Sequence, residues 1–186
     1  MSTDTADRLT RAALLSVREH GYAGTGMQDL LRAAGVSSSS MYHFFPGGKE
    51  ELVATAIRRS GMGSAARIAE VFERVGAAAA IERIFAAAAE EMTSHDFALG
   101  CPIGVPATEV PADAPLIRDA VAAVFDAWAD AYARGLRTHG LDADAAASLG
   151  RMMVAVYQGT VTTARATRST QPYRDAAALL RAQLGS

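Results

Sequence analysis

The sequence predicts an all-α fold of about nine helices, a reading that three observations carry. No stretch of the 186 residues alternates polar and apolar with period two, the mark of a half-buried strand. Half of the residues are apolar but only 6% are aromatic, and alanine is abundant, a composition suited to close-packed helices. Apolar residues recur at three- and four-residue spacing between glycine and proline breaks. A chain of this length buries a sizeable core, in one compact unit or two small ones.

The first helix is expected from Thr5 to His20, where Leu9, Ala12, Ala13, Ser16 and Val17 form one stripe. Arg8, Arg11, Arg18 and Glu19 lie off that stripe. Gly21 ends the helix, and Tyr22 packs back onto it. Thr25-Gly-Met-Gln28 has the spacing of a capping box, with the Thr25 hydroxyl accepting from the Gln28 amide. The second helix, about Met27 to Ala34, buries Met27, Leu30, Leu31 and Ala34, and Gly35 supplies the left-handed residue after it. Ser37 caps the third helix, which turns Met41, Phe44 and Phe45 toward the core. A longer helix followed by two short ones across a tight glycine turn is a helix-turn-helix unit.

Pro46-Gly47-Gly48 breaks the chain, and Lys49-Glu50-Glu51-Leu52 opens a long helix with acids in its first turn, where the helix dipole favours them. That helix is expected to run to about Gly76, with a kink or break at Gly61 and Gly63. Ile81 to His95 follows, carrying Ile84, Phe85, Ala88 and Met92 on one face. The glycines and prolines between Asp96 and Asp113, Pro111 among them, read as irregular chain. Leu116 to His139 is the next helix, enclosed by Pro115 and Gly140. Asp142 caps a helix to about Arg168, and Thr170-Gln171-Pro172 starts the last, which ends before Gly185.

The helix from Asp142 has two apolar or small faces. Leu149, Met153, Val156 and Tyr157 lie on one, and Ala155, Gly159, Thr162, Thr163 and Ala166 on the other. Core on one side and a subunit partner on the other satisfies that pattern; a large monomeric core is the alternative.

The formal net charge of −2 advertises neither nucleic acid nor membrane binding. Through Ser60 the chain holds seven basic and six acidic residues, and the remainder eleven and fourteen, a slight asymmetry. Cys101 is the only cysteine, so an intrachain disulfide is excluded. The opening Met1-Ser-Thr-Asp-Thr-Ala-Asp carries acids and no apolar run, unlike a secretory signal, and no apolar window is long enough to span a bilayer. A cytoplasmic protein with no membrane partner is expected.

Gly21-Tyr, Thr25-Gly-Met-Gln, Ala34-Gly-Val-Ser37, Met41-Tyr-His-Phe-Phe45 and Lys49-Glu-Glu-Leu52, in this order and spacing, resemble the TetR family of one-component transcriptional regulators over about residues 5–55. Gly100-Cys-Pro-Ile-Gly104, the run from Gln158 to Arg165, and the inserted Gly47-Gly48 resemble the branch similar to lincomycin-resistance repressors. The resemblance implies a helix-turn-helix DNA-binding domain over residues 1–48 and a ligand-binding and dimerisation domain over 49–186. It implies a homodimer joined through the last two long helices, with double-stranded operator DNA and a small-molecule effector as partners and no cofactor. The long helix after Lys49 is then the lever that joins head to pocket.

Candidate DNA-binding residues follow from both readings. A helix-turn-helix directs the start of its second helix at base edges, which places Ser38, Ser39 and Ser40 there; serine hydroxyls donate to or accept from several bases. His43 is the further base or phosphate candidate. Family members often carry Lys and Gly where Ser38 and Ser39 stand, so this chain departs from the pattern there. By resemblance, Thr25, Tyr42 and Lys49 meet phosphate. Few cations per head predict a shallow salt dependence, about −0.9 in slope for each neutralised phosphate. Taken singly, a serine run is more often a solvated helix start; a helical dimer with degenerate DNA binding is the alternative function.

An effector pocket needs apolar walls and a few polar groups. Met92, Phe97, Cys101, Phe125, Trp128, Met153 and Tyr157 are its candidates, with Gln158 or His95 as polar handles; each taken singly is more often ordinary core. No enzyme or metal signature stands out. Cys101 with His95 or His139 lacks a supporting motif, and Gly24-Thr-Gly26 lacks the third glycine of a dinucleotide fingerprint. Gly48-Lys49 lacks the upstream glycine of a phosphate loop, and the four histidines are too scattered for a metal site.

Overall fold

The computed structural model describes residues 2–109 and 113–184. Among these, nine α-helices and no strands are found: α1 (Ser2–Gly24), α2 (Met27–Ala34), α3 (Ser38–Phe44), α4 (Gly48–Val75), α5 (Ala77–Ser94), α6 (Gly104–Glu109), α7 (Pro115–Arg137), α8 (Ala143–Thr167) and α9 (Gln171–Ala182). The expected breaker Pro111 and terminator Gly185 lie outside the described residues. No helix among the described residues is long and apolar enough to cross a membrane.

The chain forms two compact units. The first comprises residues 1–60 and 101–124, the second 61–100 and 125–186. In the first, α1 packs against α2, α3 and α6, burying Leu9, Ala13 and Val17 of α1 with Leu30, Met41, Leu52, Ile57, Ile103 and Ile117. In the second, α9 packs against α5 and α8, and the core holds Phe72, Ile81, Phe85, Tyr132, Leu136, Met153 and Tyr173.

Three expectations about the elements are corrected. First, α4 runs through Gly61 and Gly63 without interruption. A helical glycine costs about 1 kcal/mol relative to alanine, which packing offsets here. Gly61 is buried, and its carbonyl accepts a hydrogen bond from Trp128 Nε1 at 2.8 Å. Second, α5 begins at Ala77, four residues before the expected Ile81. Alanines carry no strong periodic signal, yet they favour helix most, and Ala77 and Ala80 are fully buried. Third, α6 lies in the segment expected to be irregular. Its Pro106 sits in the first turn, where a missing N–H breaks no intrahelical bond.

The start of α5 is held from far along the chain. Gly76, at φ +82°, leaves the helix without a side-chain oxygen cap, and the Ala77 amide donates instead to His139 Nε2 at 2.9 Å. A Cβ on Gly76 would come within 2.7 Å of that nitrogen. Replacing His139 with alanine removes the acceptor. It is expected to cost about 1 kcal/mol and lower the melting temperature by roughly 2–4 °C, read by circular dichroism. An unchanged melting curve would show that water replaces the imidazole without penalty.

Candidate nucleic-acid interface and effector cavity

The turn between α2 and α3 is built as expected from local chemistry. Gly35 adopts φ +61°, which glycine tolerates without strain, and closes α2 while the Val36 amide donates to the Leu31 carbonyl at 3.1 Å. Ser37 then caps α3, its hydroxyl oxygen accepting from the Ser40 amide at 3.2 Å. The helix is anchored by Met41, which is fully buried, and by Phe45 just beyond it; Phe44 is only half-buried. At 100° per residue, Ser38, Ser39, Tyr42 and His43 share the opposite arc, and all four are exposed. Tyr42 is 52% exposed. The Ser40 hydroxyl, by contrast, accepts a hydrogen bond from the Ser37 hydroxyl at 3.0 Å and is half-buried.

The Thr25 side chain differs most from expectation. It is 1% exposed, and its hydroxyl donates to the Gly21 carbonyl at 2.7 Å and shares a hydrogen bond with Ser16 Oγ at 3.1 Å. Gly26 takes the cap position of α2 with no side-chain hydrogen bond, so the expected capping box does not form. The reason lies at Gly21. Its φ of +74° ends the regular part of α1, and its carbonyl, left out of the helix, needs a donor that Thr25 supplies. The Thr25 hydroxyl, expected to meet phosphate, is here engaged by internal hydrogen bonds and buried.

The cations around this face are few and mostly engaged. Arg32 pairs with Asp29 at 2.7 Å, and Lys49 Nζ lies 4.3 Å from the centroid of the Tyr22 ring. Partial burial lowers the Lys49 ammonium below its ordinary pKa. Burial, with the nearby carboxylates of Glu50 and Asp113, raises that of Tyr22. Glu50 and a further carboxylate, Glu109, tie the α6–α7 segment to the same unit. Glu109 accepts from the Tyr22 amide at 2.8 Å, and Glu50 from the Leu116 amide at 2.8 Å in the first turn of α7. Neither was foreseen, because their partners lie 87 and 66 residues away.

The second unit contains a cavity of about 390 Å³ among α4, α5, α7 and α8. Trp128, Tyr132 and Tyr157 form an aromatic wall, faced by Ile68, Val71, Ile84, Ala87 and Ala88. Ser64, Arg67, Arg83 and Glu91 supply its polar groups. Of the seven candidates, Trp128 and Tyr157 line this cavity, with ring centroids 6.1 Å apart and nearly perpendicular planes. Phe125 stands behind the wall, 6.1 Å from Trp128, and Met92 and Met153 are buried in the core. Cys101 is buried in the first unit. Phe97 is half-buried at φ +60°, with the Arg168 guanidinium 5.4 Å from its ring centroid. Neither proposed polar handle lines the cavity, and His95 Nδ1 lies 2.9 Å from the Glu91 carbonyl at the end of its own helix. Sequence periodicity could not find Arg67 and Arg83, because on a helical wheel each looks like an ordinary solvated cation.

A third feature is the outer stripe of α8. Met152, Ala155, Gly159, Thr162, Thr163 and Ala166 fall within about 100° of one another around the axis, and all are exposed. A Cβ on Gly159 would meet nothing within 4 Å. The Thr162 and Thr163 hydroxyls donate back to the carbonyls of Gln158 and Gly159 at 3.0 and 2.8 Å, so their polar demand is met within the helix. Met152 and Leu179 of α9 are 55% and 67% exposed.

Comparison with known proteins matches both halves of the chain. Residues 9–56 fit the model of bacterial regulatory proteins of the tetR family, and residues 77–179 fit that of the transcriptional regulator LmrA/YxaF-like C-terminal domain. The chain is 31% identical over 172 residues to an uncharacterized HTH-type transcriptional regulator of Mycobacterium tuberculosis, covering 89% of this chain and 87% of that protein. It is 24% identical over 170 residues to the HTH-type transcriptional regulator LmrA of Bacillus subtilis, covering 91% and 90%. Its fold is similar to that of a TetR transcriptional regulator from Legionella pneumophila, with a TM-score of 0.84 at 19% identity over 95% of each chain.

Proposed function

Since the chain belongs to the TetR family, in the branch with the LmrA/YxaF-like C-terminal domain, we propose that it is a ligand-responsive repressor that holds operator DNA as a homodimer and releases it to a small apolar or aromatic effector. The observation that carries this reading is the exposed arc of α3. Four polar side chains stand outward on a short helix that is capped at Ser37 and pinned from beneath by Met41. Ser38, Ser39 and His43 read base edges, with Ser40 tied to Ser37, while Tyr42 and Lys49 meet phosphate. Thr25 serves the face indirectly, holding the turn from which α2 starts with its first amides free of any side-chain cap. Residues 1–48 form the DNA-binding domain and 49–186 the effector and dimerisation domain.

Release is a two-state coupling. Effector in the cavity favours a conformation in which the paired heads no longer match successive major grooves, about 34–36 Å apart. The helix α4 is the lever, since one unbroken helix supplies Ser64, Arg67, Ile68 and Val71 to the cavity and Lys49 to the head. The dimer forms through α8 and α9, whose exposed small-residue stripe and apolar Met152 and Leu179 are otherwise left in water.

The first test is fluorescence anisotropy with DNA from beside the gene against scrambled DNA, at two salt concentrations. Selective binding is expected, with a shallow salt slope. Lys49→Ala should reduce that slope by about 1 per head, and Tyr42→Phe should weaken binding about fivefold. Should neither change the complex, the phosphate roles fall. Equal, weak binding to both DNAs, persisting across a genomic selection, would favour a helical dimer with degenerate DNA binding.

A further inference from the structure

We propose that the effector is an amphipathic organic anion: a flat aromatic or apolar body against Trp128, Tyr132 and Tyr157, with an acidic head held by Arg67 and Arg83. This inference rests on the effector reading of the cavity and adds the charge of its occupant. The two guanidinium groups come from different helices, α4 and α5, and both residues line the cavity that the aromatic rings wall. Glu91 is the one carboxylate residue among the lining, so the cavity is formally positive in a chain whose net charge is −2.

The helices leave these cations available. Several exposed arginines elsewhere are matched to acids, as in Arg74–Glu70 at 3.3 Å, Arg168–Asp96 at 2.5 Å and Arg181–Glu82. Neither Arg67 nor Arg83 forms an ion pair among the described residues. For Arg83 the cause is written in the helix. The positions three and four residues away on either side are Ala79, Ala80, Ala86 and Ala87, which offer no carboxylate. For Arg67 the nearest acid in register, Glu70, is taken by Arg74, and Arg67 donates instead to Ser64 Oγ at 2.9 Å, another lining residue. A guanidinium presents a planar fork of donors that matches an acidic oxygen pair, and two such forks from different helices can engage one acidic head together. An uncharged ligand of the same shape would leave both forks to solvent.

The experiment uses the full-length protein with two fluorescent probes that share one body, anilinonaphthalene sulfonate and its uncharged parent phenylnaphthylamine. Trp128 is the only tryptophan and lines this cavity, so energy transfer from it reports a bound probe, and the response of that signal to substitutions in the lining locates the probe in the cavity. The sulfonate is expected to bind at least tenfold more tightly than the parent. Arg67→Gln and Arg83→Gln should each weaken the sulfonate about tenfold and leave the parent within about twofold. Both variants change exposed side chains, and unchanged melting curves confirm that they fold. Equal affinity for the two probes, or indifference of the sulfonate to both variants, overturns the anionic assignment while leaving the cavity as an effector site. Absence of energy transfer from either probe overturns the effector reading itself, and this inference with it.

Discussion

Gly159→Arg is expected to convert the protein from dimer to monomer and to abolish specific operator binding. Within the protomer the site is open, since a Cβ there meets no atom within 4 Å, and arginine favours helix more than glycine does. The folded monomer should therefore be at least as stable as before. At a helix–helix interface, however, the added side chain holds two helices apart and forces a charge into a desolvated seam. That costs several kcal/mol, a weakening on the order of 100-fold or more. Analytical ultracentrifugation at micromolar concentration reads the mass, and circular dichroism the fold. A Gly159→Arg protein that remains dimeric with intact DNA binding would remove α8 from the interface.

Nine residues earlier on the same helix, Gly150→Leu is expected to have the opposite kind of effect: a large loss of stability. A Cβ at Gly150 would lie 2.5 Å from the Ala129 carbonyl oxygen, 3.1 Å from the Ala133 amide nitrogen and 3.3 Å from the Ala133 Cβ. The obstacles are largely backbone atoms of α7, which no rotamer change relieves, so α7 and α8 must separate. Overpacking of this kind costs about 3 kcal/mol or more, a fall in melting temperature on the order of 10 °C. Alanine should be milder, because its gain in helix propensity offsets part of the clash. A leucine variant that melts with the parent protein would mean that α7 and α8 yield more easily than close packing allows.

The pair of glycines shows what one-dimensional reading can and cannot reach. The sequence pattern assigns Gly159 to the outer face of α8, and the structure leaves it there in the open. Gly150 carries no periodic signal of its own; only the approach of α7 reveals that the position admits nothing larger than hydrogen. The same limit explains the cavity. Trp128 and Tyr157 were legible as apolar body residues, whereas Arg67 and Arg83 matter because two helices bring them to one aromatic wall.

What the sequence by itself determined is the local chemistry of the chain. It includes the helical periodicity, the left-handed Gly35, the caps at Ser37 and at Asp142, whose carboxylate accepts from the amides of Asp144 and Ala145, and the polar arc of α3. Each is complete within about four residues, so spacing along the chain is enough to specify it. What only the tertiary structure decided are the partners farther off. Thr25 turns inward because Gly21 frees a carbonyl, and α4 passes unbroken through Gly61, whose carbonyl receives Trp128 from 67 residues away. Likewise α5 takes its cap from His139, 62 residues distant, and the Tyr22 amide finds Glu109. A buried polar group must be satisfied by whatever the fold brings near, and sequence distance does not enter that requirement.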